Sequence, residues 1–163
     1  MDVIQLPAAS TARQIMELKP QGLVVSNGPG EPALNSKVIN ILKEMLGQMP
    51  IWGIGLGFAI LALAVGAKLN KLLPGHFNGN HTIQELNSGR IGVSDQNILY
   101  TLDEKSLPGQ MRVTYRSLID NSAAGFSENK LALLGTAFNP ESGGGPLGDD
   151  ALFVNFISLM EQN

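Results

Sequence analysis

The chain has 163 residues, of which 44% are hydrophobic and 15% charged, so it can bury the core of one domain over residues 1–163. Its formal net charge of −3 and its lack of a long basic run argue against nucleic acid as a partner. Because cysteine is absent, disulfides, cysteine zinc sites and cysteine nucleophiles are excluded.

The most apolar stretch is Ile51–Ala67, which approaches the roughly 20 residues of a membrane-spanning helix. It contains several glycines and the rest of the chain has the pattern of an α/β domain, so a membrane span is the weaker alternative. The amino end lacks the basic start, apolar middle and small-residue cleavage site of a signal peptide. We therefore expect a cytoplasmic protein without a membrane partner.

The first elements of the chain alternate between strand and helix, which is typical of an α/β fold. In order, the pattern predicts a strand at Val3–Leu6, a helix capped by Ser10 or Thr11 and running through Leu18, a strand at Leu23–Val25 and a helix at Lys37–Leu46.

The loop Ser26–Pro32 follows the second of these strands and contains two glycines and two prolines. Ligand sites of α/β proteins lie at the carboxyl ends of strands, and the exposed amides of such a turn could hold an anion. An ordinary connecting loop is the equal alternative.

A strand, a sharp turn and a helix are predicted at Ile51–Ile54, Gly55 and Phe58–Val65. Glycines at alternate positions, Gly53 and Gly57 around Gly55, allow a close reversal of the backbone. This pattern resembles a nucleophile elbow, in which the central residue presents a catalytic side chain. Here the central residue is Gly55, which has no side chain.

The remaining pattern predicts short strands and a closing helix. These are strands at Lys68–Leu73, Thr82–Leu86, Arg90–Val93, Met111–Tyr115, Ser117–Asp120 and Leu131–Phe138, a loop at Asn139–Gly148 and an amphipathic helix through Glu161. A polar turn at Pro74–His81 contains His76 and His81, which could suggest a metal site. No carboxylate or cysteine accompanies them locally, so hydrogen-bonding histidines are favoured, and we expect no metal or cofactor.

Five motifs, in order along nearly the whole chain, resemble the class I glutamine amidotransferase domain of the carbamoyl-phosphate synthetase small subunit. Ser26–Pro32 is similar to the family's Ser-Asn-Gly-Pro-Gly-Asp-Pro, Gly53–Ala59 to its Gly-Ile-Cys-Leu-Gly-His-Gln elbow, and Gly75–His81 to its Gly-His-His-Gly-Gly-Asn-His. Gln96–Asn97 matches the start of Gln-Asn-His-Gly-Phe, and Asn139–Glu141 stands at the family's His-Pro-Glu. The resemblance implies an α/β, flavodoxin-like fold of three layers, with a mostly parallel sheet flanked by helices.

The same resemblance implies a triad in which a cysteine attacks glutamine, a histidine moves the proton and a glutamate orients the histidine. Gly55 stands at the cysteine position and Asn139 at the histidine position, while Glu141 is kept. Asparagine has no usable titration, so no base remains for Glu141 to orient.

The resemblance also places a substrate pocket and oxyanion site in this chain. Its implied members are the backbone amides of Gly28, Gly30 and Leu56, the substrate-contacting positions Asn97 and Tyr100, and Ala59, where the family has a glutamine. Phe58, Phe77 and Ile98 replace polar or imidazole side chains. The alternative is that the retained residues persist because the turns need them.

We therefore expect a catalytically inactive relative that acts as a structural or regulatory module on a synthetase-like large subunit or on itself. The alternatives are a residual amide hydrolase, with Ser26 as the nearest hydroxyl, and a binder of small molecules or anions at Gly28–Gly30. The family's domain has a further strand and helix ahead of the segment that matches Val3–Pro7. Without them, Val3–Leu6 and Leu23–Val25 would lose pairing partners, so we expect a homodimer or another chain to cover those edges.

Overall fold

The computed structural model describes residues 2–77, 79–142 and 149–162. Its α-helices are α1 (Ala12–Glu17), α2 (Ser36–Met45), α3 (Leu56–Ala64) and α4 (Asp149–Glu161). Its strands are β1 (Leu23–Val25), β2 (Ile51–Ile54), β3 (Leu69–His76), β4 (His81–Glu85), β5 (Ile91–Gln96), β6 (Ile98–Leu102), β7 (Arg112–Ser117), β8 (Ala123–Glu128), β9 (Leu133–Thr136) and β10 (Phe138–Asn139). Within these residues, no helix combines the length and the apolar character needed to cross a bilayer.

Eight strands form one sheet in the order β1-β2-β9-β8-β7-β4-β5-β10, and β3 and β6 form a separate antiparallel pair. Parallel pairing joins β1 to β2 and β2 to β9, at the end of the sheet that carries the elbow. The other neighbours in the large sheet pair antiparallel, so the sheet is mixed.

Both faces of the sheet are covered, which produces three layers. Ile51 of β2 and Leu133 of β9 join the apolar core that contains α2 and α3, whereas the adjacent Trp52 and Leu134 join a second core with Phe156 of α4. Successive residues of a strand point to opposite faces, so a central strand covered on both sides is apolar throughout. The predicted α/β class with helices flanking a sheet is therefore confirmed.

Several elements form where local sequence favours them. Thr11 caps α1 with a capping box that it shares with Gln14. Strands β1 and β2 have the predicted bounds, and α2 lies within one residue of its predicted bounds and buries Leu42 and Met45. α3 begins two residues before the predicted Phe58, directly after Gly55.

Two predicted strands are wrong. Val3–Leu6 is unpaired, with Val3 80% and Ile4 64% exposed, because an apolar segment becomes a strand only where a neighbour pairs with its backbone. Of Ser117–Asp120, only Ser117 lies in a strand. Asp120 accepts hydrogen bonds from the backbone N–H and hydroxyl of Ser122, and these local bonds hold a turn instead.

The turn predicted at Pro74–His81 is shorter than expected, since β3 continues to His76 and β4 begins at His81. Strands β6 and β8 were not predicted. Of the predicted loop Asn139–Gly148, residues 143–148 lie outside the described part, while Asn139 ends β10 and Pro140–Ser142 forms a 3-10 turn.

Candidate functional site

The predicted elbow lies where β2 meets α3, with Gly55 between them at φ 56° and ψ −111°. The N–H of Gly55 donates to the carbonyl of Thr136 at 2.8 Å, and its own carbonyl accepts from the N–H of Ala59 at 3.4 Å. This φ lies in the left-handed region, where a residue with a β-carbon is strained. The elbow therefore has the backbone of a strained position but no side chain to present.

The glycine after the elbow sets how closely α3 approaches the sheet. A β-carbon at Gly57 would overlap the carbonyl oxygen of Val25 in β1. The first turn of α3 consequently packs directly on the strand backbone, which fixes the position of the Leu56 N–H at the start of the helix.

Asn27 connects the elbow to its surroundings, and the sequence analysis missed its role. Its Oδ1 accepts from the N–H of Gly28 at 2.8 Å and from the N–H of Leu56 at 2.9 Å. Its Nδ2 donates to Oδ1 of Asn139 at 3.2 Å. A β-carbon at Gly55 would overlap the carboxamide of Asn27, so this side chain fills the space in which a side chain at position 55 would begin.

A cleft of about 530 Å³ opens beside the elbow. Its lining includes Gly55 and all six residues expected in the substrate pocket and oxyanion site, which are Gly28, Gly30, Leu56, Ala59, Asn97 and Tyr100. These residues come from the loop after β1, from α3 and from the β5–β6 region. The fold thus brings together positions that lie far apart in sequence.

The rest of the cleft wall is mainly apolar. Phe77, Ile98 and Leu99 line it. Phe58 does not reach the cleft, because it is fully buried and packs against Phe126 with ring centroids 5.4 Å apart. Ser26 is exposed and is not part of the lining.

Tyr100 lines both this cleft and a smaller one of about 380 Å³, whose wall also includes Glu31. Desolvation and the nearby Glu31 carboxylate raise the pKa of Tyr100 above its usual value of 10.0. The Tyr100 hydroxyl is therefore protonated at neutral pH.

The two remaining triad positions, Asn139 and Glu141, are not arranged as a base and its orienting acid. Asn139 uses its side-chain oxygen to accept from Asn27, and its carbonyl accepts from the hydroxyl of Ser94 at 2.8 Å. Glu141 is exposed, and among the described residues no hydrogen bond joins it to Asn139.

The histidines at 76 and 81 are buried rather than exposed in a loop, and their rings stack with centroids 4.5 Å apart. His76 lies between Oε1 of Gln96 at 2.7 Å and Oδ2 of Asp120 at 3.0 Å. Burial and the neighbouring His76 lower the pKa of His81, although Asp120 acts in the opposite direction. Within the described residues, no group of three or more His, Cys, Asp or Glu side chains is placed to hold a metal ion.

The model of the family described as glutamine amidotransferase class-I matches residues 1–159 of this chain. The chain is 40% identical over 158 residues to the chloroplastic carbamoyl phosphate synthase small chain of Oryza sativa subsp. japonica, covering 97% of this chain and 35% of that protein. It is 38% identical over 160 residues to the carbamoyl phosphate synthase small chain of Xanthomonas axonopodis pv. citri, covering 98% of this chain and 41% of that protein. The chain therefore spans 35–41% of the length of these two curated relatives.

Solved structures share the same fold. A putative GMP synthase protein from Thermoplasma acidophilum superposes with a TM-score of 0.78 at 21% identity, covering 96% of this chain and 80% of that one. A glutamine amidotransferase from Methylobacillus flagellatus superposes with a TM-score of 0.63 at 18% identity, covering 84% of this chain and 55% of that one. At these identities the likeness concerns the fold alone.

Proposed function

This chain belongs to the class I glutamine amidotransferase family, and we propose that it is a catalytically inactive member that serves as a structural or regulatory module. One observation carries the proposal. The elbow residue Gly55 has no side chain, and the carboxamide of Asn27 occupies the space where one would begin. Covalent catalysis needs a nucleophile at the turn, and neither the residue nor the room for it is present.

The base position supports the same proposal. A general base must titrate near the working pH and lie within reach of the nucleophile. Asn139 does not titrate, and its side-chain oxygen is bonded to Asn27. Glu141 therefore has no imidazole to orient, so both the proton transfer and the orientation of the base that a triad requires are missing.

Residual hydrolysis through another nucleophile is the less supported alternative. The described lining of the cleft contains no serine, threonine or lysine, and its one hydroxyl belongs to Tyr100. Because the pKa of Tyr100 is raised, this hydroxyl is protonated at neutral pH and is a poor nucleophile.

Binding of a small molecule without chemistry is a second candidate, favoured by the size of the cleft. A volume of about 530 Å³ falls within the usual range of ligand sites, and the wall combines apolar side chains with the amide of Asn97. A neutral, mainly apolar ligand suits this wall better than a charged one.

For the module role we propose two partners, a synthetase-type large chain or a second copy of this chain. The relatives are by name small chains of a synthase, which motivates the first. Strand β1 lies at the edge of the large sheet with Val24 47% exposed, and an open edge of this kind can pair with another strand. Light scattering after size exclusion, with and without a large synthetase chain, distinguishes a dimer, a mixed complex and a monomer, and a monomer in both samples contradicts the proposal.

The inactivity is tested by measuring glutamate release from glutamine. We expect no release by the unmodified chain, by Gly55→Cys or by Asn139→His, since each variant restores one partner of a unit that works only together. The double variant Gly55→Cys/Asn139→His, which restores both partners, is measured beside the two single variants for comparison. Release by the unmodified chain above that of a boiled sample contradicts the proposal.

A further inference from the structure

The groups around the Asn27 side chain form a set that is complementary to a primary carboxamide. Two backbone N–H donors, from Gly28 and Leu56, meet its oxygen at 2.8 and 2.9 Å. One acceptor, Oδ1 of Asn139, meets its nitrogen at 3.2 Å. Backbone N–H groups cannot accept, so the oxygen of Asn27 must face them and its nitrogen must face Asn139.

These partners come from three separate parts of the fold. Gly28 follows β1, Leu56 begins α3 and Asn139 ends β10, so their convergence is a product of tertiary structure. The two longer-range bonds of Asn27 span 29 and 112 residues of sequence. Asn27 also lines the cleft together with Gly28, Gly55 and Leu56, which places the carboxamide at the cleft wall.

We propose that Asn27 is an intramolecular ligand: its carboxamide occupies a primary-carboxamide site made by Gly28, Leu56 and Asn139, and keeps that site closed to molecules in the cleft. This inference rests on the proposed loss of catalysis, because only a glycine at position 55 leaves room for the carboxamide. A side chain tethered beside its partners competes with a free ligand at a high effective concentration, so external amides are excluded.

The site as it stands is matched to an amide. The two N–H groups need an oxygen acceptor, and Oδ1 of Asn139 needs an N–H donor. A tertiary amide would offer a carbonyl but no N–H for Asn139. An external occupant that satisfies all three partners must therefore carry both a carbonyl and an N–H group.

Chemical rescue tests the proposal. In Asn27→Gly the site loses its internal occupant, and we expect acetamide to raise the melting temperature of this variant by about 2–4 °C at roughly five times its Kd. N,N-Dimethylacetamide should produce no such shift, and the unmodified chain should not respond to acetamide. Asn35→Gly is the matched control, since it also loses an asparagine amide that donates one hydrogen bond, to the carbonyl of Glu31, but away from the cleft.

The proposal is overturned if acetamide stabilises the unmodified chain or Asn35→Gly as much as Asn27→Gly. It is also overturned if acetamide does not stabilise Asn27→Gly, or if N,N-dimethylacetamide stabilises it as much as acetamide does. If Asn27→Gly does not fold, Asn27→Ser is used in its place, and NMR of the unmodified chain supplies an independent readout. The side-chain NH₂ protons of Asn27 should then exchange with water at least ten-fold more slowly than those of the exposed Asn97, and equal rates refute the proposal. These readouts measure stability and proton exchange rather than catalysis. Glutamine turnover would therefore refute the proposed function but would not change the melting temperatures or the exchange rates.

Discussion

Replacing Gly55 with alanine adds one β-carbon at the elbow, and we expect two separate losses of folding free energy. The first is backbone strain, because φ is 56° and ψ is −111°, a sparsely populated combination that costs a residue with a β-carbon about 1–3 kcal/mol. The second arises because the new carbon overlaps the carboxamide of Asn27, which must leave its three hydrogen bonds. At about 1 kcal/mol per bond, the second loss is about 2–3 kcal/mol, and the total is about 3–6 kcal/mol.

The two losses are separated by a double-mutant cycle with Asn27→Gly. In that background the hydrogen bonds are already absent, so Gly55→Ala should cost only the strain of about 1–3 kcal/mol. Gly109→Ala is a control for adding a β-carbon at a positive φ without a clash, since Gly109 has a φ of 55° and no atom lies within 4 Å of its potential β-carbon.

Urea denaturation followed by the fluorescence of Trp52 provides the free energies of unfolding. Trp52 is the single tryptophan, and it is fully buried against Phe153 and Phe156 of α4, so its emission reports loss of the packed sheet. The reasoning is refuted if Gly55→Ala costs no more than Gly109→Ala, or if it costs the same with and without Asn27.

Three further outcomes are expected. Gly57→Ala should prevent folding or lower stability by about 3 kcal/mol, because the new carbon meets the backbone of Val25 rather than a movable side chain. A circular dichroism spectrum and a melting curve equal to those of the unmodified chain would contradict this prediction. Stability should fall as pH drops below 6.5, because the pKa of His81 is lowered in the folded chain and the unfolded chain therefore binds the proton first. In melts between pH 7.5 and 5, the stability of His81→Phe should depend less on pH than that of the unmodified chain. Burial raises the pKa of Tyr115 to about 12, so the stability that the protonated Tyr115 gives the fold is complete below pH 10 and is lost as pH rises toward 12. A titration followed by absorbance at 295 nm should show tyrosine ionisation at high pH that is missing from Tyr115→Phe.

The elbow could be predicted from sequence because its causes are local. The bounds of β2 follow from an apolar run at Ile51–Ile54, and alternate glycines predict the turn at Gly55. The position of the cleft could also be predicted, since the motifs that end β1 and begin α3 converge at one edge of the sheet.

The position of the Asn27 carboxamide beside Gly55 could not be predicted, because it depends on contacts that join distant segments. Its local motif predicts only a bond to a nearby N–H, such as that of Gly28. Its bonds to Leu56 and Asn139 exist only after β1, α3 and β10 are assembled. In the same way, Val3–Leu6 has the composition of a strand but no paired neighbour, and composition carries no information about a neighbour.

Glutamine labelled with ¹⁵N at its amide, incubated with the chain at high protein concentration and followed by NMR, tests the central claim most directly. The same sample reports binding, through broadening of the amide signal, and hydrolysis, through its conversion to ammonium. Because Gly55 supplies no nucleophile and Asn139 no base, conversion should proceed at the rate of buffer alone. Conversion above that rate, abolished by heating the protein, would contradict the account.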